Sequence, residues 1–412
     1  MKMPLGYIYS RYPVLSQTFC DAEMLELERR GHEIVLASLY PPKTELRHEY
    51  LAKLRAKIQY APESRALDKL ARKAKRSGRW PAALVQEHDL KYGPEYKAAL
   101  RARNAFFFVE LFERERVPHF HVHFANRAAH TALFVKAISG LPFSITAHGQ
   151  DFMTDLGNDG LLRELCAAAE FVGAETNYSR DLLASRCPKA ARKIFRVYNG
   201  IDLSRFPETA DNQTNRGLPG PVRLLSVGRL VAFKGFHVLI DACTELKKRG
   251  IDFALQIIGD GALRKELETR VRQQGLSGRI QFAGEQSQNQ VLTALHACDI
   301  FVLASTIDEG GASDVFPTVI AEAMASGRSV VSTAVAGIPE LVANGETGLL
   351  VPPDDSHGLA NALERLARDG NLRANFGRAA RRRIENVFTI ERTIKPLLEH
   401  FAATARSVLI RR

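Results

Sequence analysis

Long apolar runs are missing from this sequence of 412 residues. A helix that crosses a bilayer needs about 20 consecutive apolar residues, and no stretch of the chain approaches that length. The opening MKMPLGYIYS also lacks the apolar core of a secretory signal peptide and has the pattern of a short strand. These absences argue against an integral membrane protein, and we expect a cytoplasmic one.

Cysteine is scarce as well. The cysteines are odd in number, widely scattered and never spaced as C-x-x-C: Cys20, Cys166, Cys187, Cys243 and Cys298. Such spacing argues against a disulfide framework and against a cysteine-ligated metal. We therefore expect reduced thiols in the core.

Motifs for dinucleotides and nucleic acids are absent too. No G-x-G-x-x-G follows the first predicted strand, so the dinucleotide fingerprint is missing. The net charge of +11 favours an anionic partner such as lipid, nucleic acid or a phosphorylated substrate. Because zinc-finger and RNP-like patterns do not occur, we expect no nucleic-acid partner.

Much of the positive charge lies in one segment. Between Arg65 and Arg79 there are seven basic residues and one acidic residue, a local net charge of +6. This segment is either a surface for anionic lipid or a solvated helix. It belongs to a basic, mostly helical stretch, 43–116, which breaks at Trp80 and contains the aromatic cluster Phe106–Phe108. We interpret the stretch as an insertion that packs on the sheet, faces a membrane or binds an acceptor.

Composition and periodicity predict two α/β domains. With 45% hydrophobic and 25% charged residues, the chain has the composition of a globular protein long enough for two or three domains. Strands and helices alternate in both halves, as in doubly wound, Rossmann-like parallel sheets. A polar stretch rich in Pro and Gly at 207–221 predicts a linker. We expect domains at 1–203 and 204–388, and a terminal helix at 389–412.

The individual elements follow from this alternation. Strands are predicted at 5–9, 34–39, 119–123, 142–147, 171–175 and 194–198 in the first half, and at 222–227, 253–258, 279–283 and 299–304 in the second. In the first half, Ser16 is placed to cap a helix from Gln17 to Arg30. Helices of the second half are predicted at 236–249, 262–274 and 288–297.

Three histidines alternate in the strand His119-Phe-His121-Val-His123, so their side chains share one face. Such an arrangement occurs in metal sites, but no other acidic or histidine cluster of the sequence completes a ligand set. We therefore expect no metal. His148 and Asp151 follow the next strand, at the end where open α/β sheets bind ligands. A role in stabilising the loop is the alternative for His148.

The stretch Asp314–Thr333, DVFPTVIAEAMASGRSVVST, predicts a helix followed by a buried strand. Pro317 suits the first position of the helix, whose free N–H groups and positive dipole end attract an anion such as phosphate. Asp314 precedes the helix and Glu322 lies inside it, and their separation reaches at most about 12 Å. That distance suits two sugars at the ends of a pyrophosphate. An ordinary amphipathic helix is the alternative.

A second candidate for anion binding follows the first strand of the second half. Arg229 and Lys234 lie on this loop between Gly228 and Gly235. An arginine fork and a lysine point charge together suit a pyrophosphate. Gly259 lies in the turn after the next strand.

The stretch around the predicted helix resembles the signature of the family 4 glycosyltransferases. Their Glu-x7-Glu motif, followed by Ala-Met-Ala-x-Gly, is present here as Asp314-x7-Glu322 followed by Ala323–Gly327. Asp314 replaces the first Glu of the motif, and Val315 replaces the usual Gly. Both departures lie where the family holds the transferred sugar.

Other stretches carry the same resemblance. Gly228–Gly235 is similar to the family's G-R-L-x-x-x-K-G loop, and Asn199–Asp202 to its N-G-[VI]-D hinge. Pro13–Phe19 resembles the opening P-x-L-S-E-T-F of enzymes of the colanic-acid type, with Gln17 in place of Glu. The resemblance extends over almost the whole chain except 43–116.

The resemblance implies the GT-B fold, in which two Rossmann-like domains face a cleft and the last helix crosses back to the first domain. It implies a retaining, metal-independent enzyme that transfers a hexose from a UDP- or GDP-sugar to a glycan or lipid-linked acceptor in surface polysaccharide biosynthesis. The implied location is the cytoplasm, at the inner face of the membrane. Two alternatives remain: a non-catalytic nucleotide-sugar-binding protein, and a GT-B-like epimerase or phosphorylase.

The resemblance also implies roles for individual residues. It assigns catalytic roles to Arg229, Lys234, Asp314 and His148. It assigns contacts with the donor to Gly228, Gly235, Gly259, Pro317, Thr318, Val319, Glu322, Asn199, Ser16 and Asp151.

Overall fold

The computed structural model describes residues 4–153, 159–207 and 220–411. Most of the predicted linker, residues 208–219, lies outside these ranges. Among the helices that are described, none has the length and apolar character needed to cross a membrane. All five cysteines are buried and free.

The chain divides into two compact units, which we name unit 1 and unit 2. Unit 1 comprises Met1–Val197 and Ile394–Arg412, and unit 2 comprises Tyr198–Thr393. The divisions lie a few residues from the predicted domain ends at 203 and 388.

Each unit contains one sheet. The strands of unit 1 are β1 (Leu5–Arg11), β2 (Ile34–Tyr40), β3 (Gln59–Tyr60), β4 (His119–His123), β5 (Phe143–Ala147), β6 (Val172–Ala174) and β7 (Ile194–Arg196). The strands of unit 2 are β8 (Val222–Val227), β9 (Phe253–Ile258), β10 (Ile280–Phe282), β11 (Ile300–Leu303), β12 (Ser329–Thr333) and β13 (Gly348–Val351).

Helices connect the strands in both units. Those of unit 1 are α1 (Thr18–Arg29), α2 (Ser64–Arg76), α3 (Ala82–Tyr92), α4 (Ala98–Arg114), α5 (Arg127–Ser139), α6 (Asp159–Ala168), α7 (Asn177–Arg186) and the last helix, α16 (Lys395–Arg411). Those of unit 2 are α8 (Phe236–Lys248), α9 (Arg264–Gln273), α10 (Gln288–Ala297), α11 (Thr318–Ala325), α12 (Ile338–Leu341), α13 (Ser356–Arg368), α14 (Gly370–Arg383) and α15 (Ile390–Thr393).

In unit 1 the strand order is β3-β2-β1-β4-β5-β6-β7, and all paired strands are parallel. The first strand therefore lies inside the sheet, with Leu5 opposite both Ile34 of β2 and His119 of β4. The chain builds the sheet outward in one direction from β1 and then in the other from β4. Such a reversal opens a crevice at the carboxyl ends of the two strands where it occurs.

Unit 2 repeats this arrangement with the order β10-β9-β8-β11-β12-β13, again with parallel neighbours. Consecutive strand residues belong to different buried clusters: Leu224 packs on one face of the sheet and Leu225 on the other. Both faces are therefore covered, as is usual for parallel sheets. The strand order reverses between β8 and β11.

The predicted starts of α1 and α11 are each wrong by one residue. α1 begins at Thr18 with Gln17 in the capping position, because a turn from Val14 to Gln17 leaves Ser16 exposed and outside the cap. α11 begins at Thr318, and Pro317 is its N-cap with φ −67° and ψ 104°. The proline ring fixes φ but not ψ, and the extended ψ excludes Pro317 from the helix.

The predicted insertion at 43–116 is only partly an insertion. Its last helix, α4, packs against α5 in the core, with Phe108 and Phe112 fully buried. Phe106 is also buried, and Trp80 stacks on it with the ring centroids 6.1 Å apart. The aromatic cluster is therefore part of the hydrophobic core. It is therefore unavailable as a membrane-facing surface, which was one of the three alternatives that the sequence allowed.

The last helix packs within unit 1. The ring of Phe401 on α16 lies 5.9 Å from His119, 5.4 Å from His121 and 5.5 Å from Phe171, measured between centroids. Phe401 is 7% exposed, so its ring closes one side of the histidine-bearing strand.

We predict that Phe401→Ala destabilises unit 1 by about 3 kcal/mol, because removal of a buried aromatic ring leaves a cavity. The measurement is denaturant unfolding followed by tryptophan fluorescence, since the single tryptophan, Trp80, lies in unit 1. Glu399→Ala, at an exposed position of the same helix, is the control and should stay within about 0.5 kcal/mol of the wild type. Equal effects of the two substitutions would contradict the packing of α16 on unit 1.

Candidate functional site

The candidate site of unit 2 lies where the strand order reverses, at the carboxyl ends of β8 and β11. The loop after β8 contains Arg229 and Lys234, and the loop after β11 contains Asp314 and leads to the start of α11. Parallel strands place both loops at the same edge of the sheet, where open α/β sheets bind ligands. The strand order therefore brings the sequence-predicted residues of this unit together.

Two glycines allow these loops to approach each other closely. Gly235 has φ +64°, and a Cβ there would lie 1.7 Å from the carbonyl oxygen of Ala304. Gly259 has φ +129°, and its Cβ would lie 2.0 Å from the carbonyl oxygen of Gly228. Only glycine fits positions with both a positive φ and a backbone atom so near. These two residues therefore shape the edge of the site.

Lys234 and Asp314 form a buried ion pair. Lys234 Nζ donates to Asp314 Oδ1 over 2.6 Å, and the two side chains are 11% and 10% exposed. Ser305 Oγ donates to the other carboxylate oxygen over 2.5 Å. Asp314 is therefore held rigidly, and its charge and that of Lys234 compensate each other.

Arg229 has a different environment. Its side chain is exposed, and its guanidinium lies 5.8 Å from the centre of the Phe233 ring. Within the described part of the chain it forms no ion pair, so its fork of N–H donors faces solvent and is available for an anion.

The start of α11 offers further donors. Its N-cap residue, Pro317, makes no side-chain hydrogen bond to the helix, so the N–H groups of Thr318 and Val319 are not capped in this way. Free N–H groups and the helix dipole favour an anion at this end. Glu322, one turn inside the helix, is 5% exposed. The arrangement suits a diphosphate held between the helix start and Arg229.

Unit 1 contains a hydrogen-bonded chain of two carboxylates and two imidazoles. Glu23 Oε1 lies 3.1 Å from His123 Nε2, His123 Nδ1 lies 3.1 Å from His148 Nε2, and His148 Nδ1 lies 3.2 Å from Glu175 Oε2. All four side chains are buried. The chain links α1, β4 and the loops after β5 and β6, and it fixes the ring of His148.

Two contacts in this chain place a carboxylate beside an imidazole, and the third joins the two rings. Burial raises the pKa of Glu23, but the lowering effect of His123 and the Tyr7 hydroxyl is larger. The net result is a pKa of about 2. Glu23 therefore stays ionised although it is buried.

Asp151 supports the loop that carries His148. Its carboxylate accepts from the backbone N–H groups of Ala125 and His148, at 2.7 and 3.0 Å, and from Asn126 Nδ2 at 3.0 Å. Burial raises its pKa to about 6, against the lowering effect of these donors. Because Asp151 is 1% exposed and engaged in this way, it positions His148 and has no free oxygen turned to solvent.

The histidines of β4 do share one face, and Glu23 joins two of them. One ligand atom from each of Glu23, His121 and His123 lies within 4.8 Å of the others, so the expectation that no acidic group completes this set is wrong. His121 already bonds Ser144 at 2.8 Å and Thr146 at 3.0 Å through its two nitrogens. A metal would have to displace these partners, and we therefore interpret the cluster as a hydrogen-bond network.

Sequence reasoning missed part of this network. Glu23 lies inside the helix predicted from Gln17 to Arg30, and Glu175 is the last residue of the strand predicted at 171–175. The available signal was a carboxylate at the carboxyl end of a buried strand. Among the remaining predicted residues, Ser16 is exposed and Asn199 is buried at the beginning of unit 2.

Two family profiles match the chain. The profile described as Glycosyltransferase Family 4 matches residues 17–205, and that of Glycosyl transferases group 1 matches residues 209–383. The two matches lie side by side and together cover most of both units.

Named relatives agree with these profiles. WcaL of Salmonella typhimurium, whose name assigns it to colanic acid biosynthesis as a glycosyltransferase, is 37% identical over 46% of this chain and 46% of its own. The chain thus spans about half the length of the colanic-acid relatives that it matches. The amylovoran biosynthesis glycosyltransferase AmsK of Erwinia amylovora is 28% identical over 96% of this chain and 98% of its own.

Solved structures share the fold. HepE of Anabaena, crystallised with UDP and glucose, superposes with a TM-score of 0.75 at 19% identity, over 97% of this chain and 99% of that one. Two parallel α/β units, two adjoining family profiles and this shared architecture agree with one another. The chain belongs to the family 4 glycosyltransferases, which have the GT-B fold.

Proposed function

We propose that the protein is a retaining, metal-independent hexosyltransferase that transfers a sugar from a UDP- or GDP-sugar to a glycan or lipid-linked acceptor in surface polysaccharide biosynthesis. The observation that carries this proposal is the meeting of Arg229, Lys234 and the start of α11 at one edge of a parallel sheet. The names of the relatives support the polysaccharide pathway, and the family resemblance supports retention.

The diphosphate of the donor would occupy the edge of unit 2. The exposed fork of Arg229 suits two phosphate oxygens, and the N–H groups of Thr318 and Val319 suit a third. Lys234 would exchange part of its contact with Asp314 for the phosphate. These positive groups stabilise the charge that develops on the leaving diphosphate, and they are the reason why we propose that no metal is needed.

Two carboxylates of unit 2 divide the remaining contacts. Glu322 would accept hydrogen bonds from the ribose hydroxyls, and Asp314 would contact the transferred sugar. Asp314 suits this role because Ser305 and Lys234 already fix its orientation. In unit 1, we assign His148 to the donor sugar, since His123 and Glu175 hold its ring in one position.

We also propose that the protein works at the cytoplasmic face of an anionic membrane. The basic residues of the +6 segment are all exposed: Arg65, Lys69, Arg72, Lys73, Lys75, Arg76 and Arg79. Arg79 pairs with Glu113, and Lys75 lies over the Trp80 ring. The opposite side of α2 is buried through Leu67, Ala71 and Ala74. Because the nearby aromatic residues belong to the core, the attraction would be electrostatic only.

The two carboxylates can be tested separately. We predict that Glu322→Gln weakens the binding of UDP or GDP by about 1.5–3 kcal/mol, because it removes hydrogen bonds to a charged group. Asp314→Asn should leave this binding nearly unchanged but greatly reduce sugar transfer. The measurements are isothermal titration calorimetry with each nucleotide and a transfer assay with its sugars.

Asparagine is preferred to alanine at position 314 because alanine would leave Lys234 buried without a partner, which costs about 3–5 kcal/mol. The control is Glu346→Gln, at an exposed position of unit 2, which should change neither quantity. If Asp314→Asn weakened nucleotide binding as much as Glu322→Gln, the proposed division of roles would be wrong.

Metal independence gives a second test. We predict that transfer continues in excess EDTA, since protein cations and a helix start neutralise the diphosphate. Arg229→Lys should lower kcat/KM despite the retained charge, because lysine cannot form the two-pronged contact. Complete loss of activity in EDTA, restored by Mg²⁺ or Mn²⁺, would reject the metal-independent mechanism.

Membrane attachment gives a third test. We predict that the protein sediments with phosphatidylglycerol vesicles at low salt and is released at high salt, since each basic residue near the surface contributes about 1 kcal/mol. The fourfold glutamine variant at Lys69, Arg72, Lys73 and Arg76 should stay in the supernatant.

The matched control for the vesicle experiment removes the same charge from unit 2. Its four exposed positions are Lys247, Lys248, Lys265 and Arg272, each changed to glutamine. An equal loss of sedimentation in both variants would indicate an effect of net charge alone, and an unchanged pellet of the α2 variant would exclude this surface.

A further inference from the structure

Arg101 on α4 is a buried cation without a counter-ion. Its side chain is 7% exposed, and its Nε is buried without a hydrogen-bond acceptor. Across the ranges that the structure describes, its guanidinium forms neither a hydrogen bond nor an ion pair. Burial of an unpaired charge is costly, and proteins rarely retain one without a partner.

Arg101 interacts electrostatically with the first turn of α5. α4 packs along α5, and the groups that act on Arg101 electrostatically are Arg127, the first residue of α5, and Tyr40, the last residue of β2. Arg101 also acts on His130, one turn further along α5. Burial, and then the like charge of Arg127, lower the pKa of Arg101.

A third arginine, Arg11, lies beside Tyr40. Arg11 ends β1 opposite Tyr40 in the sheet, and its guanidinium carbon lies 5.3 Å from the centre of the Tyr40 ring. Arg127 is exposed. None of Arg11, Arg101 and Arg127 pairs with a carboxylate of the described residues. Arg11 donates to the backbone carbonyl of Pro41, but a carbonyl supplies no negative charge. Neighbouring like charges without a counter-ion repel one another, so these arginines lower stability unless an anion binds to them.

The position of the cluster is that of a ligand site. β1 and β4 are the strands between which the order of the unit 1 sheet reverses, and α5 starts just after β4. The crevice at such a reversal binds ligands, and the 13-residue α5 adds a positive helix end. The carboxylate of Asp151 lies next to Asn126, the N-cap of α5, but it is engaged by neutral donors.

We propose that Arg11, Arg101 and Arg127 bind a phosphate or pyrophosphate group of the acceptor. The inference rests on the proposed function, because the donor diphosphate is assigned to unit 2 and a second phosphate site in unit 1 is then left for the other substrate. Three guanidinium groups and a helix end suit a multiply charged anion better than a single carboxylate. The acceptor is accordingly phosphorylated, as a soluble sugar phosphate or as a lipid-linked diphosphate.

Calorimetry on the full chain saturated with UDP or GDP tests this site, since the nucleotide occupies the donor edge. Inorganic pyrophosphate is the first probe. We expect it to bind the wild type, and we expect Arg101→Met and Arg127→Gln each to weaken it at least tenfold. Arg114→Met, an exposed arginine of the same helix, is the control and should bind as the wild type does.

A second set of probes identifies the source of the phosphate. Farnesyl pyrophosphate that binds more tightly than inorganic pyrophosphate supports a lipid-linked acceptor, and equal affinities support a soluble one. Farnesol should not bind. If glucuronate bound as well as pyrophosphate, the site would be a carboxylate site and the proposal would be wrong.

Thermal unfolding separates binding from a structural role of Arg101. Without ligand, Arg101→Met should raise the unfolding temperature, because it removes an unpaired buried charge, while the stabilisation by pyrophosphate should disappear. A lower unfolding temperature with unchanged pyrophosphate affinity would overturn the proposal. Because Arg127 is exposed, we expect the Arg127→Gln variant to fold. It therefore keeps the test valid if Arg101→Met does not fold.

These experiments distinguish a failure of the proposed transferase activity from a failure of the proposed anion site. If the wild type binds pyrophosphate but transfers no sugar, the proposed transferase activity fails while the anion site stands. If it transfers sugar with an acceptor KM that neither Arg101→Met nor Arg127→Gln changes, the activity stands and the acceptor site is wrong.

Discussion

The parallel direction of every strand is the constraint on which the functional geometry of both units depends. Parallel strands place all their carboxyl ends at one edge, so the loops that follow them meet there even when they are far apart in sequence. Lys234 and Asp314 meet in this way although 80 residues separate them, and His123 meets His148 for the same reason. Because the strand order also reverses in the middle of each sheet, each unit has one crevice at that edge.

Compensation of buried charge is the second organising principle. Lys234 is paired with Asp314, and the rings of His123 and His148 lie between Glu23 and Glu175. Each of these groups would be costly to bury alone, and pairing makes its burial tolerable while fixing its orientation. Arg101 departs from this rule. The departure is informative because it lies at the reversal of the unit 1 sheet, where a ligand can supply the missing charge.

The two units thus resemble each other in the placement of their positive groups as well as in fold. Each collects positive groups and a helix start at its crevice, and each therefore suits an anionic partner. In unit 2 the positive loop belongs to the motif that the family shares. In unit 1 Arg101 comes from α4, the last helix of the basic stretch, where the sequence contains none of the family motifs although the family 4 profile extends across it.

The sequence alone determined the alternation of strands and helices, the division into two domains and the loops that carry Arg229, Lys234, Asp314 and His148. It could do so because hydrophobic period and loop motifs are local properties. It did not reveal that Lys234 neutralises Asp314, that Glu23 and Glu175 enclose the two histidines, or that Arg101 is buried without a partner. Each of these depends on residues from different strands and helices that only the tertiary fold brings into contact, and no local pattern records which of them will meet.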